Sequence, residues 1–288
     1  MILFLQHALN GISLGAVYAL IAVGITLVYG LSRIIHFAVG ELVMLGAYVA
    51  WETWRLTGSH TLGLAAAAAV LAVIGMITER GIFRFTLREP LTGFIVSLGL
   101  IMILQGIGIE IWSADPRRAD PPLAGSWDVG GLIFRKQVAI NIGVSLLVLL
   151  AAYAVLMKTR YGKAVRAVSD DPSAAALMGV PVRFIIMTTF IVGAALAGVG
   201  GWVVLTNGSI SPFVGEAYLL RGFAVALIGG LGNVQGAAVA GVGMGVAESL
   251  AAGYGSPGWN DAYVFGIVIL ILLWRPTGLG RGSSGAHL

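Results

Sequence analysis

The sequence predicts an all-α membrane protein, a polytopic transmembrane helix bundle of about eight to ten helical segments, one of them half-length or re-entrant. Three observations predict it. Of the 288 residues, 58% are hydrophobic and 10% charged, where a soluble domain carries about 25% charged residues. The mean hydropathy is +0.94, more apolar surface than one soluble core hides, so lipid must act as solvent around it. The apolar residues also come in unbroken runs, such as Leu62 to Ile77, rather than in the alternation of a strand barrel. The 42 glycines fit closely packed membrane helices.

Apolar stretches fall at 8–30, 36–54, 62–80, 93–112, 137–157, 184–206, 219–231, 235–252 and 261–274. The first lacks the basic flank of a secretory signal and outruns a signal's apolar region, so it is the first membrane helix. The 219–231 stretch is too short to cross a hydrocarbon core of about 30 Å as a straight helix and is the half-helix or re-entrant segment. Trp51, Trp54, Trp112, Trp202, Trp259 and Trp274 gather near span ends, as an interfacial belt requires.

Orientation follows from the basic residues. Lys158, Arg160, Lys163, Arg166 and Arg183 make the loop 158–183 cytoplasmic. Counting outward from it, Arg33 and the loop with Arg80, Arg84 and Arg88 also lie inside, while Asn207, Ser209 and the N-terminus lie outside. Arg275 and Arg281 place the C-terminus inside if 219–231 and 235–252 are separate crossings; a re-entrant 219–231 reverses that end. The loop 113–136 is the misfit, because Arg117, Arg118, Arg135 and Lys136 fall outside. No internal repeat stands out. The chain reads as one membrane domain, 1–276, with a polar tail at 277–288.

Several function classes are excluded. The chain has no cysteine, hence no disulfide and no thiolate chemistry. Its net charge of +4 is spread between the apolar runs rather than gathered in a patch, so no nucleic-acid partner is expected. His7, His36, His60 and His287 are too scattered for a metal motif, and no catalytic spacing occurs, so the chain is not expected to be an enzyme. There is no phosphate-binding loop of the GxxxxGK type. The chain is expected to bind no cofactor, and any ATP must be used by a partner.

Within the loop 158–183, Asp171 and Pro172 read as an N-cap and first helical residue. Ser173, Ala174, Ala175, Ala176, Leu177 and Met178 favour a two-turn helix, and Gly179 with Pro181 ends it. A helix this short is marginal alone and needs a partner or the membrane domain to hold it. An ordinary capped loop is an equal alternative on these residues alone.

The stretch YGKAVRAVSDDPSAAALMGV resembles the cytoplasmic coupling segment of permeases of branched-chain amino acid ABC importers, the LivH type. IIHFAVGELVMLGAY at 34–48, LRGFAVALIGGLGNVQGAAVAG at 220–241 and the RPTGL end at 275–279 are similar to that family in the same order. The chain departs from the pattern at His36, where asparagine is common, and at Arg221, where lysine is common. The resemblance implies a subunit of the bacterial inner membrane that pairs with a homologous second permease, a heterodimer in this family. Two ATP-binding cassette ATPases would dock below, and an extracytoplasmic solute-binding protein would deliver substrate. Asp171 to Gly179 would contact the ATPase. The family's cargo is leucine, isoleucine and valine, while related permeases move urea, amides or other amino acids.

The tentative pathway residues are Glu41, Gly229, Gly230, Gly232, Asn233 and Glu248. Glycines 229–236 permit irregular backbone at membrane depth or, slightly better supported, a plain interhelical turn at the surface. Glu41 and Glu248 are ionisable groups inside apolar stretches, which makes them functional candidates, with Glu79 and Glu110 nearer helix ends. A gating or structural role suits the first two, and Glu41 is placed either to cap its helix or to pair with Arg33. Gly11 with Gly15 and Gly241 with Gly245 are GxxxG pairs that suit close helix packing. The competing function is a stand-alone ion-coupled secondary transporter using Glu41 or Glu248.

Overall fold

The computed structural model describes residues 2–87, 89–129, 132–255, 259–275 and 278. Outside the described residues lie 1, 88, 130, 131, 256–258, 276 and the tail 277–288 apart from Gly278; among them are Arg88, Leu279, Arg281 and His287. The helices run α1 (Ile2–Ser32), α2 (Val39–Thr57), α3 (His60–Thr78), a π-helical turn (Glu79–Phe83), α4 (Arg84–Thr86) and α5 (Pro90–Trp112). They continue as α6 (Lys136–Lys158), α7 (Arg160–Asp170), α8 (Pro172–Leu177), α9 (Val182–Asn207), α10 (Val214–Gly229), α11 (Val234–Tyr254) and α12 (Asn260–Trp274). Six among the described residues are long and apolar enough to cross a membrane: α1, α3 with its continuation, α5, α6, α9 and α11.

The bundle is organised around α1. The most apolar window of α1 is 89% buried, against 22% in α5 and 17% in α6. Other helices therefore enclose α1, while α5 and α6 turn apolar faces outward to lipid. The two GxxxG pairs meet each other along this centre. A Cβ added to Gly15 would lie 2.6 Å from the Gly241 carbonyl oxygen, and one on Gly11 would lie 2.6 Å from Val246 Cα. The pairs thus close a seam between α1 and α11 of one chain, where backbone sits against backbone and no side chain fits.

The short segment is α10, with 16 residues, about 24 Å at the usual helical rise. It begins at Val214 rather than 219, since Glu216 lowers the hydropathy of its first turn without disfavouring helix. Before it, Ile210 and Arg117 form an antiparallel bridge, each N–H donating to the other's carbonyl at 2.8 Å. After it, Gly230 and Gly232, both at φ +91°, turn the chain into α11, a conformation open to glycine at little cost. Asn233 caps α11, its Oδ1 accepting from the Gly236 N–H at 3.0 Å. The glycine-rich break is an interhelical turn.

Two features add to the sequence reading. A hairpin of β1 (Ser126–Val129) and β2 (Leu132–Arg135) lies in the loop between α5 and α6; its signal was the Gly130-Gly131 pair ahead of the apolar run Leu132 to Phe134. Between α1 and α2, residues 33–38 are not helical, and Arg33 has φ +56°. The Ser97 hydroxyl of α5 supports this break, accepting from the Phe37 N–H at 3.2 Å. Two basic residues of the loop 113–136 make contacts: the Arg118 carbonyl accepts from Trp51 Nε1 at 3.0 Å, and the Arg117 guanidinium lies 5.5 Å from the Trp51 ring centroid.

Candidate functional site

The loop 158–183 folds into two helices rather than one. Tyr161, Ala164, Val165 and Val168 recur at helical spacing and turn one face of α7 inward, with Val165 and Val168 buried. Thr159 caps α7, its Oγ1 accepting from the Gly162 N–H at 3.2 Å. The Ser169 hydroxyl donates to the Gly30 carbonyl of α1 at 3.0 Å, so α7 is fastened to the bundle's central helix.

From this platform α8 projects outward. Asp171 Oδ1 accepts from the N–H groups of Ser173 at 2.8 Å and Ala174 at 3.0 Å, satisfying two donors of the first turn. Pro172 occupies the first helical position, and Gly179 leaves the helix at φ +82°. Ala175 turns inward at 5% exposure, whereas Asp171, Pro172, Ala174, Ala176 and Gly179 are exposed. Leu177 and Met178 stand out at 89% and 85% exposure. These two exposed apolar side chains, in the segment that carries Lys158, Arg160, Lys163, Arg166 and Arg183, are the candidates for a protein contact.

At the opposite end a charged cluster joins four helices. Glu248 of α11 is 4% exposed. Its Oε2 accepts from the Tyr18 hydroxyl of α1 at 2.8 Å, and its Oε1 accepts from Arg221 Nε of α10 at 3.0 Å. Arg221 Nη2 also donates to Asp261 Oδ1 of α12 at 2.7 Å. A carboxylate this deep requires such partners, because unpaired charge is costly away from water. Beside the cluster lies a cavity of about 450 Å³ whose walls include Asn10, Ser13, Arg135, Asn207 and Glu248.

Glu41 is also buried, at 2% exposure. Its Oε1 faces α10, 2.9 Å from the place of a Cβ on Gly215, and its Oε2 has no hydrogen-bond partner among the described residues. It does not cap α2, whose N-cap residue is Ala38 and which has no side-chain cap, and forms no ion pair with the exposed Arg33 among the described residues. Glu79 is neutralised by Arg84 at 3.1 Å, and Glu110 is exposed. The structure therefore sorts the four acids.

The pathway candidates converge on one element. Glu41 abuts the start of α10, Glu248 holds its middle through Arg221, and Gly229 to Asn233 form its end. That end lies near α7, for a Cβ on Gly30 would stand 3.6 Å from Gly232 Cα and 3.8 Å from Ser169 Oγ. Arg221, which sequence reasoning noted only as a departure from a pattern, is the residue that ties α10 to both acids of the cluster. Its acidic partners lie 27 and 40 residues away, so no local spacing marks the cluster.

Such a chain, a polytopic helical bundle with a capped contact helix at its basic end and a charged cavity at the other, has the features of a membrane permease. Comparison with known proteins gives the family. The profile of the branched-chain amino acid transport system permease component family matches residues 7–273, and the chain belongs to that family. It is 36% identical to the high-affinity branched-chain amino acid transport system permease protein LivH of Salmonella typhimurium, over 96% of each chain. It is 32% identical to BraD of Pseudomonas aeruginosa, of the same description, again over 96% of each. A probable branched-chain amino acid transport permease LivH of Methanocaldococcus jannaschii is 30% identical over 90% of this chain and 84% of its own. No solved structure matches the chain. Membership in a transport system's permease component favours the ATP-driven importer over a stand-alone ion-coupled transporter.

Proposed function

We propose that this chain is one of two homologous permease subunits in a bacterial inner-membrane importer for branched-chain amino acids. A solute-binding protein delivers the cargo outside, and two ATPase subunits hydrolyse ATP inside, since this chain has no phosphate-binding loop. The cargo is the one that the names of its relatives carry, and the partner set is what membership in a transport system's permease component implies.

The observation that supports the coupling role is the pair Leu177 and Met178, exposed on a helix whose other anchors lead inward. Force on α8 passes to α7, from the Ser169 hydroxyl to the Gly30 carbonyl of α1, and from Gly30 to the turn that ends α10. In this reading α10 lines the pathway and moves when the ATPases close. It is short and followed by a glycine turn, irregular backbone of the kind that membrane transporters hold where it is buried in protein or lines a cavity.

The test is a double variant, Asp171→Ala with Gly179→Pro, assembled with its partners in proteoliposomes. We expect normal membrane insertion but ATP hydrolysis no longer coupled to uptake. Unchanged uptake at normal expression would refute the assignment of α8.

A further inference from the structure

The outer cavity is polar where the rest of the bundle is apolar. Its volume of about 450 Å³ exceeds what a single amino acid needs, and its wall combines groups of opposite charge. Glu248 lies on one side, and it shares Arg221 with Asp261. Arg135, exposed at the start of α6, lies on the cavity's rim. Ser13 Oγ is buried against the same space and has no hydrogen-bond partner among the described residues. The amides of Asn10 and Asn207 complete a wall able to donate and accept.

A membrane protein rarely keeps a buried acid, a rim arginine and an orphaned hydroxyl around one hollow without a polar occupant. The occupant that matches carries a cationic and an anionic group a few bonds apart. We infer that this cavity receives the charged head of a free amino acid entering the pathway, with Glu248 facing its ammonium group and Arg135 its carboxylate. The inference rests on the importer reading above and adds to it the place where the cargo's common part is recognised. The variable side chain is left to the soluble binding protein and to the apolar interior.

The site also explains why the cluster sits on α10. An ammonium arriving at Glu248 competes with Arg221 for the carboxylate, which loosens the bond that holds α10 to α11. Occupancy of the cavity and release of α10 become one event.

The test is equilibrium dialysis of radiolabelled leucine, at millimolar concentration, against the purified complete importer without its soluble binding protein. The competitors are 4-methylpentanoate, which lacks the ammonium, and 3-methylbutylamine, which lacks the carboxylate. We expect leucine to bind and neither half-molecule to displace it. Binding should fall at least about tenfold in Glu248→Gln, the loss of one charge-assisted hydrogen bond, and in Asn10→Phe, which fills the hollow. Co-purification of the ATPase subunits checks assembly. Should Glu248→Gln fail to assemble, Asn10→Phe and Arg135→Gln carry the test, since neither residue belongs to the cluster. A wild-type importer that takes up leucine but shows no such binding, or variants that bind as tightly as wild type, would overturn the site and leave the importer standing. A wild-type importer that takes up no amino acid would overturn both.

Discussion

The two ends of the molecule handle exposure in opposite ways. At the basic end, α8 puts Leu177 and Met178 into the open and spends only Asp171, at its own N-terminus, on holding the helix together. At the outer end, Glu248 is hidden and is held through Tyr18 and Arg221 to two other helices, α1 and α10. The difference teaches that stability and function separate at one end and coincide at the other. A surface that acts by contact can be altered while the bundle stays intact. A buried charge cluster cannot lose one member without leaving another uncompensated.

The sharpest way to break this contrast is Glu248→Leu. It leaves Arg221 mostly buried, with the exposed Asp261 as its remaining ion-pair partner among the described residues, and the loss should be about 3–5 kcal/mol. A large drop in Tm in detergent measures it. Adding Arg221→Leu should restore part of that loss, because the orphaned charge is gone. A fully additive double variant would show that the pair is not coupled.

Smaller in effect, Asp171→Ala removes a cap and should cost about 1 kcal/mol locally, with little change in the Tm of the whole protein. Helicity of α8 is best followed by hydrogen exchange at Ser173 and Ala174, whose N–H groups lose their acceptor. Smallest in stability is Leu177→Asp with Met178→Asp, since both side chains are exposed, and each change should lie within about 0.5 kcal/mol. The same variant should abolish co-purification of the ATPase subunits. A variant that unfolds instead would erase the distinction between the two ends.

Much of the architecture was legible in the sequence, because crossing a bilayer is a local demand. Each long apolar run must satisfy its own backbone as a helix, and the basic residues beside it report the side. The cap at Asp171 was legible for the same reason, as capping chemistry lies within three residues. Helix α7 was written in the spacing of Tyr161, Ala164, Val165 and Val168 but was masked by the charged residues between them. The break at 33–38 had no such signal, since its support, Ser97, comes from another helix.

By itself, the sequence determined that the chain lives in lipid, where most of its long helices run, and which loop carries a capped helix. Only the tertiary structure decided that Gly11 and Gly15 face Gly241 and Gly245, that Tyr18 reaches Glu248 across 230 residues, and that Glu41, Glu248 and the glycine turn all meet α10. The physical reason is the range of the forces. Hydrophobic transfer and backbone hydrogen bonding act residue by residue along the chain, whereas close packing and charge pairing are satisfied only between helices that the fold has brought together.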